Sequence, residues 1–241
     1  MAIFSFQKPS LSDEVHSIVK DSEGNFGIYI KNLSSGKTFT LNEHRVFDPA
    51  SLYKLKLMVE VFEQIKAGKL DEDKILSADI KELNESFDIP EEDAELKTGE
   101  IDMSVGEALE QMITISHNYG ALLLTKATGA QDLEEPITPK EVADFFEKIY
   151  QGKIIDHETS QEMLELLARQ KINDRIPKYL PEGTKIAHKT GDLGYFENDA
   201  GIVFSPKGDF IIVVLSETKN PEEAGEKIAR ISEAAYKYFN K

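Results

Sequence analysis

Lys185-Ile-Ala-His-Lys-Thr-Gly191 is a strand-like run, and two more follow it: Ala200-Gly-Ile-Val-Phe204 and Phe210-Ile-Ile-Val-Val-Leu215. Short runs of β-branched and apolar residues bounded by turn residues read as strands. Ser205-Pro-Lys-Gly208 supplies the turn between the last two. Pro221-Glu-Glu then opens a helical pattern that continues to Phe239. Three strands closed by a terminal helix make half of a layered fold, and the rest must come from the other end of the chain.

Residues 11–20 have the spacing of a short amphipathic helix. Phe26-Gly-Ile-Tyr-Ile30 and Lys37-Thr-Phe-Thr-Leu41 alternate as strands around the turn residues Asn32-Leu-Ser-Ser-Gly36. Between these ends the pattern is helical. Leu52, Leu55, Met58, Val61, Phe62 and Ile65 recur at helical spacing from Ser51 to about Lys69. Ser104-x-x-Glu107 is a capping-box signal for a helix to about Ile115. A helix at 119–127 stops at Gly129, Thr138-Pro139-x-Glu141 opens another, and a further one covers about 158–170.

The expected fold is α+β. A five-stranded antiparallel sheet is flanked by terminal helices, and an all-helical lobe is inserted into it. The expected lobes are 1–48 with 184–241, and 49–183, with the active site in the cleft between them.

Composition narrows the function. The 241 residues carry a net charge of -16, which argues against nucleic acid and anionic lipid as partners. There is no cysteine, so thiolate catalysis and cysteine metal sites are excluded. The five histidines are scattered, with no H-E-x-x-H spacing, so no metal is expected. No glycine-rich phosphate cradle occurs, and no cofactor is expected. No run of 18 apolar residues could span a membrane. The start, MAIFSFQKPSLSDE, lacks the charged and apolar regions of a signal peptide.

Three short motifs carry chemistry: Ser51-Leu-Tyr-Lys54, Ser116-His-Asn118 and Lys189-Thr-Gly191. A serine hydroxyl is a poor nucleophile without a nearby base. Ser51 begins a helix, whose N-terminus favours developing negative charge. Lys54, three residues on, shares its face and serves as base if its ammonium is desolvated. Ser116 can relay a proton, and Asn118 can donate to a substrate carbonyl. Lys189 is an electrostatic anchor on a strand, Thr190 offers a hydroxyl to a carboxylate, and Gly191 allows close approach to the strand. Other copies lack this context. Ser34/Lys37 falls on the hairpin, Ser17/Lys20 inside a helix, and Lys97-Thr98-Gly99 in an acidic loop.

In this order, the motifs resemble those of class A β-lactamases and their penicillin-binding relatives. The resemblance rests on Phe47-Asp-Pro-Ala-Ser-Leu-Tyr-Lys54, Ile115-Ser-His-Asn-Tyr-Gly-Ala-Leu-Leu-Leu124 and Ile186-Ala-His-Lys-Thr-Gly191. Arg175-Ile-Pro-Lys-Tyr-Leu-Pro-Glu-Gly183 and Asn198-Asp-Ala-Gly-Ile-Val203 extend it over most of the chain. It implies acylation of Ser51, with Lys54 as base or shuttle and Ser116 passing the proton to the leaving nitrogen. It also implies that Asn118 binds the acylamide, Lys189 and Thr190 hold the carboxylate, and the N–H groups of Ser51 and Asp192 form the oxyanion hole.

Three departures stand out. His117 replaces the aspartate usual in class A enzymes. No arginine occurs on 200–204, and Arg175 is the candidate to meet the substrate carboxylate instead. The omega loop shrinks to Thr128-Gly-Ala-Gln-Asp-Leu-Glu-Glu-Pro-Ile137, where only Glu134 and Glu135 could replace the deacylating glutamate. The resemblance thus predicts ready acylation and slow deacylation of a β-lactam. A D-alanyl-D-alanine peptidase or transpeptidase and a non-turnover β-lactam sensor use the same motifs. A periplasmic or extracellular monomer is expected, binding a β-lactam or an acyl-D-alanyl-D-alanine peptide.

Overall fold

The computed structural model describes residues 10–241. The first nine residues of the MAIFSFQKPSLSDE start lie outside them. Contacts group the chain into two compact units. One holds residues up to Ala50, Pro136–Glu147 and Ile172–Lys241; the other holds Ser51–Glu135 and Lys148–Lys171.

The sheet unit begins with α1 (Leu11–Val19), whose N-terminus is a full capping box between Ser10 and Asp13. Five strands follow in space: β1 (Gly24–Asn32), β2 (Thr38–Leu41), β5 (Ile186–Leu193), β6 (Phe196–Val203) and β7 (Phe210–Thr218). Their order is β2-β1-β7-β6-β5, and every pair is antiparallel. The expected five-stranded sheet is therefore present. β7 lies at its centre and is buried along nearly its whole length, which is why it reads as an unbroken apolar run. Leu11 and Val15 of α1 pack with Ile28, Ile212 and Val214 of the sheet, and with Ile228 and Ile231 of α8 (Pro221–Phe239). The two terminal helices thus cover one face of the sheet.

Gly201 shows how tightly β5 and β6 run. A Cβ there would lie 2.4 Å from the Ala187 carbonyl oxygen and 2.5 Å from the His188 Cβ. Only glycine fits at this crossing.

The second unit contains α2 (Lys54–Lys66), α3 (Ile80–Ser86), α4 (Val105–Thr114), α5 (Asn118–Thr128) and α7 (His157–Leu167). It is not all helical, as the sequence suggested. β3 (Ile75–Asp79) and β4 (Glu100–Ser104) form an antiparallel pair, with Leu76 opposite Met103. Those two side chains are buried while their neighbours face outward, which is a strand's alternation in runs too short to register beside long helices.

The expected lobe limits differ from these units at residues 49–50 and in two longer segments. Pro136–Glu147 and 172–183 belong with the sheet unit. The first is tied there by the Phe47–Ile137 bridge and by Lys31, whose Nζ lies 2.7 Å from Glu147 Oε1. It carries most of α6 (Pro139–Tyr150), capped reciprocally by Thr138 and Glu141. Among the described residues no helix is long and apolar enough to cross a membrane.

Candidate active site

Ser51 lies in a 3-10 turn, Ala50–Tyr53, that leads directly into α2. The turn starts from strain, since Ala50 has φ +44. A non-glycine residue in this region persists only where its surroundings hold it. Here Ala50 N donates to Asp48 Oδ1 at 2.8 Å. Asn198 of β6 adds to the grip, donating to the carbonyls of Asp48 at 3.1 Å and Pro49 at 3.4 Å. The Asn198 carbonyl in its side chain accepts from Ser216 N on β7. Asn198 therefore braces the backbone just ahead of Ser51, a role visible only in three dimensions.

Lys54 is the first residue of α2 and has no exposed surface. Its Nζ donates to the Ser116 carbonyl at 2.6 Å, to Ser116 Oγ at 3.3 Å and to Asn118 Oδ1 at 2.6 Å. The first two motifs thus meet at one ammonium group. Ser116 reaches it from a left-handed backbone, φ +58, in the reversal between α4 and α5. α4 is aimed by its Ser104 cap, which accepts from Glu107 N, while the Glu107 carboxylate takes a bond from Gln111 instead of closing the expected box.

His117 explains its own presence. Its Nδ1 accepts from Gly120 N at 2.9 Å, so the ring caps α5 as an aspartate would. Burial lowers its pKa, and the Lys54 charge lowers it further against the opposing Glu95 carboxylate. The neutral ring is the form that can accept this bond. Glu95 itself, which reads as part of a solvated acidic run, accepts from Asn118 Nδ2 at 2.5 Å and so fixes the amide with its oxygen toward Lys54.

Glu134 and Glu135 sit in the short connection after α5 and are exposed. Glu135 pairs with Lys56 at 3.2 Å. Burial pushes the Tyr53 phenol well above its ordinary value, and the charge of Glu134 adds to the rise. The second Lys-Thr-Gly, Lys97–Gly99, is a loop ahead of β4 with Gly99 at φ +112.

In the sheet unit, Lys189, Thr190 and Gly191 lie on β5 and are buried. Lys189 Nζ donates to the Thr190 carbonyl at 2.8 Å. The Thr190 hydroxyl is buried with no partner, a condition uncommon in folded proteins and one that a ligand oxygen can relieve. Beside Lys189, His188 Nδ1 bonds Asp199 Oδ1 at 2.9 Å, and Asp199 Oδ2 accepts from Ile176 N. This ties the segment before β5 to β6.

Arg175 belongs to the same segment. It is buried and surrounded by the protein's own acceptors: Glu197 at 2.6 Å, Asp192 at 3.1 Å, Asp174 at 3.5 Å and the Asn198 carbonyl at 3.0 Å. Burial raises the pKa of Glu197 to about 7; Arg175 opposes the rise, while Asp192, Asp174 and Asp199 add to it.

The model of the beta-lactamase enzyme family matches residues 10–137 and 125–239. The extended-spectrum beta-lactamase PER-1 of Pseudomonas aeruginosa is 23% identical, over 97% of this chain and 89% of its own length. A solved acyl-enzyme complex of mutant PBP-A with penicillin G has a TM-score of 0.81 at 23% identity, covering 95% of this chain and 96% of that one. A beta-lactamase from Sphaerobacter thermophilus gives 0.80 at 23% identity, with 95% and 97% covered. The structures share the fold: the β-lactamase and transpeptidase-like arrangement of one five-stranded antiparallel sheet with eight helices. With the match running from α1 to α8, this chain belongs to the beta-lactamase enzyme family.

Proposed function

We propose that the protein is a serine hydrolase that opens β-lactams through an acyl-enzyme on Ser51 and releases the product slowly. The observation that carries this reading is the Lys54 hub, a buried ammonium bonded to Ser116 and Asn118 and one helical turn from Ser51. In the proposed reaction the Ser51 Oγ–carbonyl bond forms as the lactam C–N bond breaks. Lys54, entering the step as the neutral amine, takes the Ser51 proton, and Ser116 passes a proton on to the departing nitrogen. Asn118 holds the acylamide, and Lys189, Thr190 and Gly191 receive the carboxylate end. The N–H groups of Ser51 and Asp192 bind the oxyanion, a contribution of about 3–4 kcal/mol per donor in enzymes of this kind.

Slow release follows from the connection after α5. A deacylating water needs a positioned general base. Glu135 is paired with Lys56, and both Glu134 and Glu135 are exposed to solvent in a short connection. These arrangements support the reading that neither performs the step efficiently. The family's usual setting supports a periplasmic or extracellular location.

Intact-protein mass spectrometry with benzylpenicillin over seconds to hours, beside Ser51→Ala, tests the proposal. A persistent adduct on the natural protein, absent from the variant, is expected. No adduct and no loss of penicillin would overturn the whole reading. Rapid consumption of penicillin by a protein lacking both Glu134 and Glu135 would sink the slow-release explanation alone.

A D-alanyl-D-alanine peptidase is the second reading. The pairing of Glu135 with Lys56 and the shortness of the connection favour it, because a peptidase needs no glutamate at that position. Cleavage of an acyl-D-alanyl-D-alanine peptide, together with a lasting penicillin adduct, would select it. A lasting adduct without peptide cleavage would select a sensor.

A further inference from the structure

Asp192 and Glu197 are direct partners across β5 and β6. Like charges opposite each other in a ladder repel. Glu197 is only 8% exposed, so its charge needs a counter-ion. Arg175 supplies it. Nε faces Glu197 Oε1 at 2.6 Å, Nη2 donates to Asp192 Oδ1 at 3.1 Å, and Nη1 donates to the Asn198 carbonyl at 3.0 Å. Asn198 is the partner of Gly191. One guanidinium therefore spans two consecutive rungs of the ladder, at the point where the Lys-Thr-Gly motif ends.

Two guanidinium nitrogens donate to acceptors of the protein itself, Nε lies in ion-pair contact with Glu197 without hydrogen-bond geometry, and the side chain is 6% exposed. To meet a substrate carboxylate, Arg175 would have to give up Glu197, Asp192 and the Asn198 carbonyl together, and Glu197 would lose its cation or take up a proton, either at a cost in free energy. We propose that Arg175 is a positioning residue that clamps the β5–β6 rungs at Gly191 and Asp192, and does not bind the substrate carboxylate. The inference rests on the reading that Ser51 is acylated and that the Asp192 N–H serves the oxyanion. Displacing that donor by a fraction of an ångström would slow acylation of any substrate, with or without a carboxylate.

The test compares benzylpenicillin with its methyl ester, which lacks the carboxylate. Rates of adduct formation are read by intact mass on the natural protein, Arg175→Lys and Asp192→Asn. Amide hydrogen exchange over residues 191–197 is read on the same three proteins. A lysine keeps the charge but not the planar fork. Arg175→Lys is expected to lose about tenfold or more with both compounds alike, in the range that small misplacements cost. Exchange at 191–197 should rise, and Asp192→Asn should reproduce a weaker form of both changes. A loss with the acid but not with the ester would overturn the proposal and return Arg175 to carboxylate binding. Unchanged rates with both compounds would overturn it as well. If the natural protein forms no adduct with either compound, the functional reading fails. Unchanged exchange in Arg175→Lys would separately refute the clamp.

Discussion

The Nζ of Lys54 and the Oδ1 of Asn118 lie 2.6 Å apart, and the lysine has no exposed surface. A buried ammonium is costly unless its donors are used, and here the Ser116 carbonyl takes a second bond at 2.6 Å. The arrangement holds Lys54 in one rotamer, beside the serine that we propose as proton relay. The proposed binding and proton-transfer roles thus converge on one buried group.

Lys54→Met keeps the length of the side chain and removes both charge and proton. Acylation by benzylpenicillin should fall by about 10²–10⁴, the usual contribution of general acid–base catalysis. Lys54→Arg should not restore it, because a guanidinium does not give up its proton in this pH range. Stopped-flow acylation rates, with circular dichroism to verify folding, check both. Rates within threefold of the natural protein for Lys54→Arg would count against the base role.

Thr190 offers the opposite balance. Its hydroxyl is buried without a partner, so it costs free energy in the empty protein. Thr190→Val removes that cost at nearly constant volume. Its urea midpoint should be unchanged or higher, by up to about 1 kcal/mol, while the acylation rate falls. A destabilised variant with full acylation activity would mean that the hydroxyl has no part in binding.

Long periodic segments were legible in the sequence. β7 is apolar from Phe210 to Leu215, where every side chain is buried, and α8 carries its proline at the start and its apolar stripe to the end. The motifs that bring Lys54, Ser116 and Asn118 together could be read because each is local and their order is informative. β3 and β4 were not, since each is five residues long with a single buried side chain. α3 is a seven-residue helix capped by Asp79 and equally silent. The roles of Asn198, Glu95 and Glu197 depend on strand register or on loop return. Asp192 and Glu197 become opponents only once β5 and β6 pair, and no spacing rule announces that Arg175 must neutralise them.

Gly201→Ala tests the closeness of β5 and β6. The added methyl group would lie 2.4 Å from the Ala187 carbonyl oxygen, a backbone atom that cannot turn aside. The strands must separate, at a cost of about 1–3 kcal/mol or more. Lys189 and Thr190 follow Ala187 on β5, so acylation should fall along with the urea midpoint. An unchanged midpoint would show that the ladder yields more readily than its geometry indicates.

The pH dependence of stability should carry the mark of Glu197. Its pKa rises from an ordinary 4.5 to about 7, with burial as the main cause. Arg175 and Asp174 face it from the segment before β5, Asp192 from β5 and Asp199 from its own strand. In the unfolded chain the carboxyl loses its proton near 4.5, whereas the folded protein keeps it to about 7. Between these values the folded state binds the extra proton, so this group's contribution to stability declines as pH rises through the window. Above it the contribution stays at its lower level. Glu197→Gln holds a neutral group at every pH and removes the decline. Urea midpoints of both proteins at about pH 5 and pH 8 read this difference directly. The variant should gain on the natural protein at the higher pH, because Arg175 keeps Asp192 and Asp174 as partners. Parallel midpoints at the two pH values would show that Glu197 is ionised throughout and that Arg175 alone suffices to hold its charge.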